Sequence, residues 1–405
     1  MATTPPRKTP RLPENEPTYR EPPQLPEDII LTKILTRLPA KIVGRLRSVC
    51  KPWRSLLSKP SFTKDHLNCT TQNPDEDNLI INKFVTNSNR KYYEIDVLSL
   101  SDLSETKLFD QYEFQRDYPV IKLIGSIYGI VCLYINVRDR AQFVLWNPVI
   151  KQAKEIESPE CDIDLCGFCW DEVEADFKVI ACSYRSEGRF YSVGLVYVYS
   201  CKSDSWTMQA DARSWQPGIR FCDDYDEVPH SGVPAAIVNG VPYWQYSQRF
   251  EAGKPVFKFE VGSGEFREVP KPDVVGVSDK HEFLIVNWKE RLSALVTQSY
   301  FSRTVVDVYC FDEGSGVWSK MHNIGPNMSN EYKLLGCFKY GGEIVTDING
   351  NYVCYDYRTG ETKGLGNRKG RLLTGFSHKD SLVFLEGMKR YRNATPYLLE
   401  KGKNS

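Results

Sequence analysis

The residues most able to carry out chemistry are twelve cysteines and five histidines. Cys161, Cys166 and Cys169 are close in sequence, and cysteines at such short spacing are common zinc ligands. A zinc site needs a fourth ligand, and the nearest histidines, His66 and His230, are far away along the chain. We therefore predict no metal site and no cofactor.

The sequence lacks the short motifs of common catalytic centres, namely GxSxG, HExxH and the glycine-rich phosphate loop. Its few histidines are scattered, so an acid–base or metal centre has few candidate residues. An enzyme remains an alternative, but the residues favour a protein that acts by binding. We predict no catalytic residues.

Residues 25–68 carry apolar side chains at helical spacing and form the first candidate binding surface. Pro26 suits a first helical turn, and Ile30, Ile34 and Leu38 follow at i, i+4 and i+8. Pro39 ends this first helix, and two further helical segments follow. About 45 residues make a poor independent core, so we expect a partner to cover part of the apolar surface.

The net charge is zero overall but uneven along the chain. Residues 25–68 hold nine Lys or Arg against Glu27, Asp28 and Asp65, which gives +6, whereas residues 1–24 give +1 and the rest −7. Such charge hastens association with an acidic partner. A small basic helical unit could also bind DNA, but its Lys and Arg alternate with the apolar faces. We therefore predict no nucleic-acid partner.

Behind this unit, one eleven-residue design recurs at intervals of about 44 to 60 residues. Each copy opens with a β-favouring or aromatic residue, passes through a polar stretch, and closes on a residue such as Trp206, Phe266 or Trp318. This pattern predicts a strand, a tight turn and a second strand. The six copies begin at Ile95, Trp146, Tyr199, Phe259, Phe311 and Tyr355.

A second predicted hairpin lies ahead of most copies, with turns at Tyr128-Gly129, Asn239-Gly240 and Gly341-Gly342. Four strands per repeat predict the blade of a β-propeller, and the copies predict six blades, with seven as the alternative count. A β-sandwich is the competing fold. The strands near Phe376 and residues 382–385 would complete the blade that holds Ile95, so deleting residues 372–405 should unfold the propeller.

These patterns divide the chain into a tail (1–24), a helical unit (25–68), a linker (69–78), a β-propeller (79–400) and a short tail (401–405). Seven prolines among the first 24 residues, with few large apolar side chains, predict that this tail is disordered. The chain has no apolar run of about 18 residues, so we expect no membrane span. Most cysteines lie inside predicted strands, which favours reduced thiols in a cytoplasmic or nuclear protein.

The segment LPEDIILTKILTRLPAKIVGRLRSVCKPWRSLL resembles the F-box, the motif that docks substrate receptors onto the Skp-family adaptor of SCF (Skp, cullin, F-box) ubiquitin ligases. Two departures from the family pattern are Gly44, where a larger residue is usual, and Pro52, which removes a helical amide. The residues that match are Leu25-Pro26, Ile34-Leu35, Leu38-Pro39, Leu46-Arg47, Val49-Cys50-Lys51 and Trp53-Arg54.

The remainder resembles the F-box-associated domain of plant F-box proteins, which is similar to kelch-type propellers. The resemblance covers nearly the whole chain behind the first tail. The matching segments are GSIYGIVCL from Gly125, FVLWNPVIKQAKEI from Phe143, CGFCWDEVEADFKVI from Cys166, VNGVPYW from Val238, FKFEVGSGEFREVP from Phe257 and LLGCFKYGGEIV from Leu334.

The resemblance implies a non-catalytic subunit of a ubiquitin ligase. The F-box would bind a Skp-family adaptor, and through it cullin and RING subunits, while the propeller binds a target protein for ubiquitination and proteasomal degradation. A propeller scaffold that recruits no ligase remains an alternative. The candidates for adaptor contact, some of which must face the unit's own interior, are Leu25, Pro26, Ile30, Ile34, Leu35, Leu38, Pro39, Val49, Cys50 and Trp53.

The candidate target-binding surface is one rim of the propeller, because loops carry variable chemistry on a rigid strand scaffold. The longest irregular stretch runs from Asp211 to Gly232, and its aromatic and acidic side chains could hold a basic target. It could equally be a plain connection between blades. The candidate residues are Trp215, Arg220, Asp223, Asp224, Tyr225 and Asp226.

Overall fold

A computed structural model describes most of the chain between residues 29 and 390. The predicted tails, 1–24 and 401–405, lie outside the described residues. The described ranges are 29–71, 78–87, 90–99, 104–110, 120–137, 140–160, 163–187, 190–211, 232–245, 256–272, 282–300, 303–328, 333–337, 343–348, 351–356, 359, 361–364 and 371–390.

The described chain begins with a small helical unit, as predicted. It opens with a π-helical turn (Ile30–Ile34) and a 3-10 turn (Leu35–Arg37). Three α-helices follow: α1 (Ala40–Leu46), α2 (Lys51–Leu56) and α3 (Pro60–Thr71). No helix in the described ranges is both long and apolar enough to cross a membrane.

Proline positions explain two of the helix boundaries. Pro39 caps the N-terminus of α1, and Pro52 lies in the first turn of α2. The first turn of a helix has no internal acceptor for its amides, so the amide that Pro52 lacks removes no helical hydrogen bond. The departure from the family pattern at Pro52 is therefore accommodated by its position.

Helix α3 was not singled out from the sequence, and it includes residues 69–71, which we had assigned to the linker. Its buried residues, Phe62, His66 and Thr70, do follow the helical spacing i, i+4 and i+8. Two of the three are polar, so the apolar pattern that reveals a helix is weak here. The Thr70 hydroxyl donates to the carbonyl oxygen of His66 at 3.0 Å, which satisfies this buried group inside the helix.

Strands make up nearly all of the remaining described chain. In chain order they are β1 (Asn78–Asn87), β2 (Arg90–Ser99), β3 (Glu105–Asp110), β4 (Val120–Ile127), β5 (Ile130–Val137), β6 (Arg140–Asn147), β7 (Gln152–Glu157), β8 (Leu165–Asp171), β9 (Asp176–Glu187), β10 (Phe190–Ser200), β11 (Ser205–Asp211), β12 (Ala236–Val238), β13 (Val241–Gln245), β14 (Val256–Glu260), β15 (Glu265–Val269), β16 (Glu282–Trp288), β17 (Arg291–Tyr300), β18 (Arg303–Asp312), β19 (Val317–Met328), β20 (Lys333–Cys337), β21 (Glu343–Ile348), β22 (Asn351–Asp356), β23 (Glu361–Gly364), β24 (Arg371–His378) and β25 (Lys389–Arg390).

The described strands form six antiparallel sheets. Five have four strands each, ordered β24-β1-β2-β3, β8-β9-β10-β11, β12-β13-β14-β15, β16-β17-β18-β19 and β20-β21-β22-β23. The remaining sheet, β4-β5-β6-β7, gains β25 as a fifth strand on its β7 edge. Five of the sheets are predicted units of two hairpins, and the first sheet combines β24 with β1, β2 and β3. Each eleven-residue segment begins in the third strand of its sheet.

The residues that open and close the repeated segment lie opposite each other in the sheets. Tyr199 pairs with Trp206 across β10 and β11, and their ring centroids are 5.4 Å apart. Phe311 and Trp318 form the same cross-strand pair at 5.0 Å. Aromatic cross-strand pairs stabilise antiparallel sheets, which explains why the repeat carries aromatic residues at these two positions.

Contacts between the inner strands join the sheets into a β-propeller. β24 contacts β4, β4 contacts β8, β8 contacts β13, β12 contacts β16, β16 contacts β20, and β20 returns to β24. Because this series of contacts returns to the sheet where it began, the sheets form a ring, and the alternative of a β-sandwich is excluded. Strands in such a ring are covered on both faces, which is why residues 130–135 of β5 are all buried.

The strand predicted near Phe376 completes the first sheet, as expected, and is β24. The prediction of a second strand at residues 382–385 is wrong: these residues form no strand and instead run beside the neighbouring sheet. β24 pairs antiparallel with β1, with Phe376 opposite Ile80 and His378 opposite Asn78. Ile95, in β2 of the same sheet, is fully buried. Because β24 joins β1 in one sheet, the ring closes without leaving the edge of β1 unpaired.

Candidate functional site

The helical unit contains a small buried core. Leu35, Val43 and Leu57 are buried in it, together with Ala40 and Phe62. Three predicted adaptor contacts, Ile30, Leu38 and Trp53, are partly buried against this core. Leu35 is only 4% exposed, so this candidate serves the interior of the unit rather than its surface.

The surface of the same unit carries large apolar side chains. Val49 is 68% exposed and Ile34 43% exposed, and both were predicted as contact residues. Pro39 and Cys50 are exposed as well. The candidates Leu25 and Pro26 lie outside the described residues. Exposed aliphatic residues concentrated on so small a unit mark a surface that a partner can cover.

Two exposed apolar residues were missed by the sequence analysis. Ile29 and Ile42 are each 40% exposed. Within α1, the buried residues are Ala40 and Val43, so Ile42 faces away from the core. Helical spacing relative to Val43 could have assigned Ile42 to the outer surface, but it requires knowing which residues of α1 are buried.

Hydrogen bonds hold the connection that presents Val49. The amide of Val49 donates to the carbonyl oxygen of Leu46 at 3.1 Å, which extends the end of α1. Cys50 is the N-cap of α2, and its carbonyl oxygen accepts from the Arg54 amide at 3.0 Å. The exposed valine therefore projects from an ordered turn between two helices, at little entropic cost on binding.

The helical unit is strongly basic. Residues 29–71 contain nine Lys or Arg and one acidic residue, Asp65. Burial lowers the pKa of Arg47, and the charge of the neighbouring Arg54 lowers it further. The Arg47 guanidinium donates to the Ser58 hydroxyl, a neutral partner, at 2.7 Å. Several of the basic residues are exposed and adjacent in sequence to the exposed apolar ones, as Lys33 is to Ile34 and Lys41 to Ile42.

Gly44 is explained by the way the unit lies on the propeller. A Cβ atom added to Gly44 would lie 3.5 Å from Cγ1 of Val149, which belongs to the turn between β6 and β7. Val149 and Ile150 pack against the helical core. A large side chain at position 44 would separate the two parts, so this departure from the family pattern fits the observed contact.

The predicted target-binding segment begins at the opposite end of its sheet from the helices. The helical core packs against Val149 and Ile150 in the β6–β7 turn, and the β4–β5 turn lies at the same end of that sheet. Tyr128, in the β4–β5 turn, contacts Trp170 near the end of β8, with ring centroids 5.3 Å apart. Because strands alternate in direction, Asp211, where β11 ends, lies at the far end. The six candidate residues between 215 and 226 lie outside the described residues.

The cysteines identified in the sequence are part of the propeller core. Cys166 and Cys169 are fully buried free thiols, and Cys161 lies outside the described residues. Burial raises the pKa of the Cys166 thiol to about 12, so it stays protonated at neutral pH. In the described ranges, no group of three or more His, Cys, Asp or Glu is arranged to hold a metal ion.

Two family models match this combination of helices and propeller. The F-box domain model matches residues 22–65. The model of the F-box associated beta propeller domain matches residues 100–373, which is more than half of the chain. The chain therefore belongs to the family of F-box proteins with an F-box-associated β-propeller, as the sequence resemblance predicted.

The chain is also similar to curated F-box proteins of a plant. The F-box protein At3g07870 of Arabidopsis thaliana is 26% identical over 383 residues, which cover 84% of this chain and 87% of that protein. The F-box/kelch-repeat protein At3g23880 of the same plant is 27% identical over 257 residues, which cover 61% of this chain and 65% of that protein.

Proposed function

We propose that this protein is the substrate-recognition subunit of an SCF-type ubiquitin ligase. Its helical unit would bind a Skp-family adaptor, and its propeller would hold a target protein for ubiquitination and proteasomal degradation in the cytoplasm, the nucleus or both. The chain itself would make and break no bonds. It would raise the rate of ubiquitin transfer by bringing target and carrier enzyme into one complex.

The observation that carries this proposal is the exposed apolar surface of the F-box. Val49, Ile34 and Ile42 remain exposed although the helical unit is packed against the rest of the chain. Fully burying an exposed valine or isoleucine contributes about 1.5 to 3 kcal/mol, and these partly exposed residues each contribute a share of that, which together supports specific binding. The surrounding basic residues would hasten association with an acidic adaptor.

Val49→Asp tests the adaptor surface. Because Val49 is 68% exposed, the substitution should leave the fold intact. It would place a desolvated, unpaired charge in the interface, and we expect capture of the purified Skp-family adaptor to fall by on the order of 100-fold or more. Leu38 and Trp53 are poorer test positions, since both also pack against the helical core.

Val173→Asp is the matched control. Val173 is 96% exposed in the turn between β8 and β9, so the same change is made on the propeller instead of the F-box. We expect this variant to bind the adaptor as the unmodified chain does. Equal capture by Val49→Asp and Val173→Asp would exclude the proposed adaptor surface.

We infer that the propeller has six blades, one for each described sheet. The closed path of inner-strand contacts passes through all six sheets, which supports this count. Amide exchange should then report a single cooperative opening of the inner strands β4, β8, β16 and β24. Independent opening of one of these sheets would contradict the ring.

We propose that the target binds at the end of the propeller away from the helices. Asp211, where β11 ends, and Gly232, whose carbonyl oxygen accepts from the Cys166 amide at the start of β8, both lie at this end and flank the long stretch between them. Replacing residues 212–231 by a Gly/Ser linker should abolish target capture while adaptor capture is kept. Proximity labelling with and without proteasome inhibition would identify the target, which should accumulate only when degradation is blocked.

A further inference from the structure

The chain does not end with the strand that closes the propeller. Residues 379–388, here called the C-terminal strap, leave β24 at the inner side of one sheet and cross to the neighbouring sheet. There β25 pairs antiparallel with the outer strand β7, with Lys389 opposite Ala153 and Arg390 opposite Gln152. The strap therefore spans a blade from its inner to its outer edge.

On one side, the strap is anchored to the propeller. The Asn147 side-chain amide donates to the carbonyl oxygens of Ser381, at 3.1 Å, and Val383, at 2.8 Å. Leu385 and Met388 are buried in the propeller core. The strap passes so close to the β4–β5 turn that a Cβ atom on Gly129 would lie 2.3 Å from the Ser381 hydroxyl oxygen.

On the other side, the strap is part of the helical unit. Leu382 is 2% exposed and belongs to the same buried cluster as Leu35, Val43 and Leu57. The Lys41 ammonium group of α1 lies 2.9 Å from a carboxylate oxygen of Asp380. The Lys379 ammonium group donates to the carbonyl oxygen of Thr70, in the last turn of α3, at 3.3 Å.

Successive residues of the strap thus serve two different cores. Leu382 completes the core of the F-box, and Leu385 and Met388 complete that of the propeller. A unit of about 45 residues buries too little surface to be stable without added contacts. The apolar surface that we expected a partner to cover is therefore covered in part by the same chain, through Leu382, Val149 and Ile150.

We propose that the C-terminal strap is a positioning element that the N-terminal F-box requires in order to fold and to hold one orientation on the propeller. Leu382 supplies the buried contact, and the Lys41–Asp380 ion pair sets where α1 lies. Adaptor surface and propeller would then move as one rigid body. The structural part of this inference stands by itself, and only its consequence for ubiquitin transfer rests on the proposed function.

Two leucine variants of the full-length chain test the inference by hydrogen exchange and mass spectrometry. Leu382→Ala removes the contact with the helices, whereas Leu385→Ala removes the same atoms on the propeller side of the same strap. For Leu382→Ala, we expect amide exchange in residues 40–71 to accelerate on the order of 30-fold or more, with strands β4, β5 and β6 unchanged. Leu385→Ala should instead accelerate exchange in those strands.

Unchanged exchange in residues 40–71 of Leu382→Ala would overturn the inference. Equal acceleration of helices and strands in both variants would also overturn it, since that result indicates general destabilisation. Capture of the purified adaptor is measured in parallel and should weaken in Leu382→Ala. The unmodified chain could capture no adaptor while Leu382→Ala still accelerates amide exchange in residues 40–71. In that case the proposed function fails and the role of the strap stands.

Discussion

Phe376→Ala should destabilise the entire propeller, because Phe376 lies where β24 pairs with β1 and closes the ring. Its side chain is 7% exposed in β24, opposite Ile80 of β1, and packs in the large core cluster. Removing a buried phenylalanine side chain costs about 3 to 5 kcal/mol. Since whole domains are stable by only about 5 to 15 kcal/mol, this one change removes a large share.

The measurement is equilibrium unfolding in urea, followed by tryptophan fluorescence and by far-UV circular dichroism. The unfolding midpoints from both signals should shift together to a lower urea concentration. If the closing sheet unfolds, the faces of the neighbouring sheets become exposed, so the whole ring should unfold in one transition. In a thermal melt, we expect the midpoint to fall by roughly 6 to 10 °C, at about 2 °C per kcal/mol for a chain of this size.

Phe384→Ala is the control for this prediction. Phe384 is 54% exposed and lies in the strap, eight positions beyond Phe376 in the sequence. Its loss should change the unfolding free energy by less than about 0.5 kcal/mol. If Phe376→Ala shifts the midpoint no more than Phe384→Ala, or if one sheet melts separately from the rest, the argument from ring closure is refuted.

Three further predictions concern the helical unit. Gly44→Ala should stabilise α1 by up to about 1 kcal/mol, because alanine favours a helix more than glycine does. Gly44→Leu should destabilise the packing of α1 on Val149 by about 1 to 3 kcal/mol. Amide exchange in α1 that slows in both variants, or accelerates in both, would contradict this pair of predictions. Burial lowers the pKa of His66, a shift that its hydrogen bond to the Leu38 carbonyl opposes. The unfolded unit then binds more protons than the folded one, so its stability should fall as pH drops below about 6.5, and a flat pH profile of helix exchange would exclude this. Cys50 and Cys69 are exposed free thiols and should react with a thiol reagent in the native protein, whereas the buried cysteines should react only on unfolding.

The propeller was predictable because its units are local in sequence. A hairpin is formed by neighbouring residues, so the alternation of strand and turn residues around Tyr128-Gly129 and Asn239-Gly240 is visible without any tertiary information. Both turns are observed with the left-handed backbone that these residues favour, with φ of 49° and 76° in the first and 49° and 78° in the second. The turn predicted at Gly341-Gly342 lies outside the described residues.

The docking surface was only partly predictable, because burial in a small helical unit depends on distant contacts. Ile34 and Leu35 are adjacent and similar, yet Ile34 is 43% exposed and Leu35 4%. Helical spacing cannot predict which of the two is buried, because apolar residues lie on more than one side of this segment. The contact with Leu382 contributes to this core, and it comes from a residue more than 300 positions away.

By itself, the sequence determined the class of this protein: an F-box followed by repeated four-stranded sheets, with the strand around Phe376 closing the first sheet. These features depend on local patterns of apolar, turn and aromatic residues, which act over a few positions. Only the tertiary structure decided which apolar residues remain available to a partner and how the F-box is held. Those outcomes depend on which surfaces cover each other, and the C-terminal strap covers the F-box from the far end of the chain.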